Sequence, residues 1–146
     1  MILPDAEATE AFGASLAPLV RAGDCIALLG DLGAGKTSLA RGLIRALGFF
    51  GDVASPSFPI VLTYDPPEVR LPVWHVDLYR IEEPGELEEL GLDEARAGAL
   101  LLIEWPERLP RLWPDALQLT LSRDPAGGRR LTVQVPAAWE ARWPTR

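Results

Sequence analysis

Residues 30–37 read Gly-Asp-Leu-Gly-Ala-Gly-Lys-Thr and fit the pattern G-x-x-x-x-G-K-[ST]. The pattern carries meaning only where a strand feeds the first glycine and a helix leaves the threonine. Both flanks comply. Residues 24–29 (DCIALL) form a short apolar run of strand length, and residues 37–47 carry Leu39, Leu43 and Leu47 at i, i+4 spacing with Arg41 and Arg45 facing away. Gly48 follows as a helix stop. Such a strand–loop–helix unit belongs to an α/β domain. Its glycines let main-chain N–H groups curl round phosphate oxygens, and the helix N-terminus adds partial positive charge. Asp31, Leu32, Gly33, Ala34, Gly35, Lys36, Thr37 and Ser38 are therefore the expected phosphate-binding residues.

Lys36 is the only lysine among 14 basic residues; the rest are arginine. On a solvated surface the exchange costs little. Against a triphosphate a compact charge on a flexible stem meets several oxygens, which a planar guanidinium fits poorly. Thr37 would offer its hydroxyl to magnesium.

The rest of the chain is read around this unit. Residues 5–17 predict a helix with Phe12, Leu16, Leu19 and Val20 on one side, ended by Pro18. Residues 60–64, 73–79 (VWHVDLY, ending near Asp77) and 99–103 (ALLLI) predict strands. Residues 84–90 predict a short acidic helix. Residues 117–122 and 131–135 predict a hairpin across residues 124–128, and Trp139 and Trp143 predict a docked helical turn in the tail. At 146 residues this is one domain, 1–146.

Hydrolysis requires a carboxylate at a neighbouring strand end. Asp77 ends VWHVD and Glu104 follows ALLLI, both at the edge where α/β sheets bind ligands. One would anchor magnesium while the other orients the attacking water; spacing does not say which. The base-reading motif Asn-Lys-x-Asp of GTPases cannot exist in a chain with no asparagine and one lysine already used. ATP is the default nucleotide. His75, the sole histidine, reads as a structural hydrogen-bonder, and Trp105 either covers the nucleotide pocket or packs.

The net charge of −7 disfavours unaided binding to nucleic acid. The acidic run from Glu82 to Glu94 reads as a solvated face. Cys25, the only cysteine, sits in an apolar run and reads as a small buried residue; no internal disulfide can form, which fits a reducing cytosol. No apolar run approaches the roughly 18 residues that span a bilayer, and the acidic N-terminus does not resemble a secretory signal.

Four segments, GDLGAGKTSLARGL, SPSF, HVDLYR and IEWPE, resemble in order and spacing the bacterial TsaE (YjeE) family of small P-loop ATPases. The resemblance runs from about Leu3 to Arg130. It implies a three-layer P-loop NTPase-like α/β fold with a mixed parallel and antiparallel central sheet. It implies a cytoplasmic ATPase using ATP and Mg2+, acting with TsaD and TsaB in making N6-threonylcarbamoyladenosine in tRNA and touching tRNA only indirectly. Residues 33–37 would hold the phosphates. Thr37 and Glu104 would lead on the magnesium side, Asp77 would be catalytic or metal-linked, and Trp105 would flank the site. Residues 55–58 would form a switch-like loop, in which Ala54 and Pro59 stand where the family commonly shows a cation and a hydroxyl. Two other readings of the same loop are a small-molecule kinase, which would need an acceptor pocket and a mobile lid, and a nucleotide-sensing adaptor.

Overall fold

The structure, a computed structural model, describes residues 1–56 and 60–144. Its frame is a seven-stranded mixed sheet in the order β1-β7-β6-β2-β5-β4-β3. At the centre lies β2 (Cys25–Leu29), flanked in parallel by β5 (Leu100–Glu104) and β6 (Leu117–Arg123). Beyond β5, β4 (Val73–Asp77) continues in parallel and β3 (Val61–Tyr64) closes that edge antiparallel. On the other side β7 (Arg129–Gln134) returns antiparallel to β6, and β1 (Ile2–Leu3) pairs antiparallel with β7. The mixed sheet implied by the resemblance is present.

The central strands are apolar throughout because both of their faces are covered. On one face Ile26, Leu28, Leu100 and Leu102 pack with Leu39 and Leu43 and with Ala8 and Phe12. These come from α1 (Ala6–Ser15) and α2 (Lys36–Ala46). On the other face Cys25, Leu101 and Ile103 pack with Leu87, Leu90 and Leu92. These last come from α3 (Pro84–Leu90) and α4 (Leu92–Arg96). The result is three layers.

The α1–α2 contact is made close by glycine. A Cβ on Gly13 would overlap the Leu39 carbonyl, and one on Gly42 would overlap the Glu10 carbonyl. Asp5 caps α1, its Oδ1 accepting from the Ala8 amide at 2.8 Å. The helix ends at Ser15, three residues before Pro18. Gly48, just past the end of α2, takes φ +125° and donates its N–H to the Arg45 carbonyl, as a helix stop should.

Element boundaries fall within one or two residues of expectation, and α3 matches it at both ends. Periodicity gave no sign of β1, of α4, or of a 3₁₀ turn at Pro106–Arg108. The first has two residues, too few for any alternation. The tail docks as expected. Trp139, 1% exposed, donates its Nε1–H to the Asp115 carbonyl, while Arg142 holds both Asp24 carboxylate oxygens at 2.7 and 3.0 Å. The acidic run is largely solvated: Glu82, Glu83, Glu88, Glu89, Asp93 and Glu94 are exposed.

Candidate active site

The carboxyl ends of β2, β5 and β4 meet at one edge of the sheet, and the glycine-rich loop emerges there. Three of its glycines occupy φ values that side chains resist: Gly30 at +140°, Gly33 at +77° and Gly35 at +108°. Gly30 is doubly constrained, since a Cβ there would overlap the Leu121 carbonyl oxygen of β6. Gly35 caps α2, so Lys36 and Thr37 open its first turn.

Lys36 is 4% exposed, unusual for lysine. Its Nζ donates to the Gly30 carbonyl at 2.5 Å and lies 3.8 Å from the centre of the Trp105 ring. Burial pushes its pKa below the usual 10.5, opposed first by the charge of Glu104 and then by Asp77, Glu107 and Asp31. The ammonium is therefore a poorly solvated cation facing acidic neighbours.

Those neighbours come from adjoining strands in register. Asp77, the last residue of β4, pairs with Glu104, the last residue of β5. Both are about 95% buried. The Glu104 carboxylate accepts from Thr37 Oγ1, at 3.2 Å to Oε2 and 3.5 Å to Oε1, and lies 2.7 Å from His75 Nε2. Asp77 Oδ1 accepts from the Tyr79 amide at 2.9 Å. The Asp77 amide donates to the Ile60 carbonyl, which ties Ile60 to the same strand end. Ser57 and Phe58 of the expected switch-like loop, and Pro59, lie outside the described residues.

Trp105 turns the chain directly after Glu104. It holds φ +59°, ψ +52°, a conformation costly for a bulky residue and doubly so before a proline. That turn brings its indole over Lys36, where it packs and covers at once.

Sequence reasoning missed two arginines. Arg129, at the start of β7, donates from Nε to the Ala34 carbonyl at 2.9 Å and from Nη2 to the Gly33 carbonyl at 3.1 Å. Arg123 reaches the Gly33 carbonyl at 3.5 Å. In a trans peptide the N–H points opposite to the C=O, so this grip turns the Gly35 N–H away from Arg129. No local pattern marks these residues; their position depends on the β6–β7 hairpin folding back beside the loop.

Together these groups line a cleft of about 290 Å³, bounded by Leu32, Gly33, Gly35, Lys36, Thr37, Ser38, Asp77, Glu104, Trp105 and Arg129. Asp31 and Ala34 instead support the loop, the Ala34 N–H donating to the Asp31 carbonyl at 3.0 Å. A second hollow of about 130 Å³ adjoins the cleft, sharing Gly35, Ser38 and Arg129 and walled by Pro4, Asp5, Ala6, Thr9 and Gly128. Among the described residues no three or more His, Cys, Asp or Glu side chains cluster as a metal centre by themselves. The hydroxyl of Thr37 and the carboxylates of Glu104 and Asp77 are hard oxygen donors of the type magnesium prefers, in a number that leaves positions for water and phosphate.

A mixed three-layer α/β sheet with a glycine-rich strand–loop–helix turn at its carboxyl edge defines a protein of P-loop-like architecture. The model of the family described as "Threonylcarbamoyl adenosine biosynthesis protein TsaE" matches residues 3–131. The chain belongs to the TsaE family. It is 45% identical over 115 residues to the tRNA threonylcarbamoyladenosine biosynthesis protein TsaE of a Synechocystis species, covering 75% of this chain and 71% of that protein. It is 38% identical over 128 residues to the protein of the same name from Bacillus subtilis, covering 86% and 78%. The fold is similar to the crystal structure of YdiB from Bacillus subtilis, with a TM-score of 0.75, 32% identity, and 94% of this chain and 85% of that one covered. Among the described residues no helix is long and apolar enough to cross a membrane.

Proposed function

We propose that this chain binds ATP with Mg2+ in the cleft at the carboxyl edge of the sheet and hydrolyses it slowly. Turnover would drive or reset the threonylcarbamoyl transfer to tRNA carried out with TsaD and TsaB in the cytoplasm. The observation that carries the reading is the convergence of a buried lysine with an acidic pair. Lys36 sits at the first turn of α2, while Glu104, hydrogen-bonded to Thr37, and Asp77 stand beside it in register.

The lysine and the loop amides suit the β- and γ-phosphates. Glu104 and Asp77 offset the charges of Lys36 and Arg129 in the cleft before a triphosphate adds its own negative charge. A magnesium ion, when bound, would supply positive charge and offset what builds up on the phosphates during transfer. Thr37 and Glu104 are the residues to hold it. Asp77, whose Oδ1 accepts from the Tyr79 amide, would orient the attacking water. Attack would form one P–O bond as the bond to the bridging oxygen breaks, giving ADP, phosphate and a proton.

The test is reconstituted threonylcarbamoylation with and without the chain, alongside ATP hydrolysis by the wild type, Lys36→Ala and Glu104→Ala. Both variants should lose magnesium-dependent turnover, and Lys36→Ala should fail to support modification. If both turned over ATP like the wild type, the reading of the cleft would be wrong.

A further inference from the structure

His75 sits in the middle of β4, two residues before Asp77 and on the same face of the sheet. It is fully buried, and its Nε2 lies 2.7 Å from Glu104 Oε2, the oxygen that also accepts from Thr37 at 3.2 Å. We infer that His75 is a positioning residue whose Nε2–H fixes the Glu104 carboxylate so that it faces Thr37 and the cleft as a ready ligand for a divalent cation. The inference rests on the cleft being the Mg·ATP site.

The chemistry of the contact decides where the ring proton lies. An ionised carboxylate only accepts, so the nitrogen facing it must carry hydrogen. Nδ1 is buried and has no hydrogen-bond partner among the described residues. In the neutral ring with its proton on Nε2, Nδ1 is a bare acceptor; the reverse tautomer would leave a buried N–H unmet and two acceptors face to face. Glu104 needs such a brace. Its side chain has three rotatable bonds, and the strongest opposing charge on Lys36 comes from it. A carboxylate free to turn would collapse onto that ammonium. The contacts of His75 and Thr37 to Oε2 oppose this, His75 acting as outer partners of metal ligands do elsewhere.

The test uses Mn2+ with a non-hydrolysable ATP analogue, with binding read by electron paramagnetic resonance. His75→Phe keeps the ring volume and removes the donor. It should weaken Mn2+ binding by about 10- to 100-fold. His75→Gln, which returns an N–H near the Nε2 position, should recover most of the loss. Failure of the wild type to bind Mn2+ with the analogue would overturn the reading of the cleft. Wild-type affinity in a folded His75→Phe would overturn this inference alone. A second measurement needs no variant of His75. As the sole histidine, it gives one pair of ring ¹⁵N resonances. Nε2 should appear protonated and Nδ1 bare, with the pattern moving in Glu104→Gln; the opposite tautomer in the wild type would overturn the inference.

Discussion

The Lys36 ammonium rests on the Trp105 indole, 3.8 Å from the ring centre, while donating to the Gly30 carbonyl that opens the loop. This lodges a poorly solvated cation between an aromatic face and a main-chain oxygen. A triphosphate in the cleft would draw the ammonium off the ring. Magnesium-ATP should therefore change tryptophan emission, and Trp105→Phe should abolish that change although Trp74, Trp113, Trp139 and Trp143 remain. Binding itself should tighten, by less than about tenfold, because the cation–π contact weakened in the variant is one the free protein makes and the complex gives up. A fluorescence titration checks both, and an unchanged signal in Trp105→Phe would place the reporter elsewhere.

Arg129 braces the loop from outside, with Nε and Nη2 on consecutive carbonyls. Losing a charged hydrogen bond costs about 1.5–3 kcal/mol, so Arg129→Ala should weaken ATP binding by about 10- to 100-fold. Arg129→Lys should recover little, because one ammonium cannot span both carbonyls as the guanidinium fork does. Calorimetric titration of the two variants is the check. Equal affinity in the wild type and Arg129→Ala would show that the loop holds its shape unaided.

The α1–α2 packing yields a contrast between two glycines. A methyl on Gly42 would run into the Glu10 backbone, whereas one on Gly85 in α3 meets nothing within 4 Å. Gly42→Ala should destabilise by about 1–3 kcal/mol or more, since two helix backbones must separate. Gly85→Ala should stabilise by about 0.5–1 kcal/mol, the helix-propensity difference. Urea unfolding should move the midpoints in opposite directions with the slope unchanged.

How much of this was legible follows from distance along the chain. The glycine loop, its strand and its helix lie within one local stretch, and local rules read them. The strand-end positions of Asp77 and Glu104 were also readable, because VWHVD ends in the first and ALLLI runs directly into the second. That the two stand side by side depends on β4 neighbouring β5, a matter of strand order that no single segment encodes. The His75–Glu104 contact spans 29 residues and the Arg129–Ala34 contact spans 95; both appear only when the sheet is assembled. The same holds for Gly13 and Gly42, which look like weak helix residues until the facing backbone is in place.

Cys25 turns burial into a pH dependence. Packed in β2 with no exposure, its thiol is pushed from the usual 9.0 up to about 12, chiefly by desolvation of the thiolate. The folded state thus favours the protonated form. The resulting stabilisation is fully present below pH 9.0 and is lost as pH rises through about 12, because the unfolded chain releases its proton first. Unfolding free energy should therefore fall across that window. Cys25→Ala should flatten this part of the fall while lowering stability at neutral pH by roughly 1 kcal/mol, the usual order for a small buried truncation. The native thiol should also resist alkylating reagents at pH 8 and react once the chain unfolds, since only the thiolate is nucleophilic. Rapid labelling of the native protein would mean that β2 opens far more readily than its burial between two layers allows.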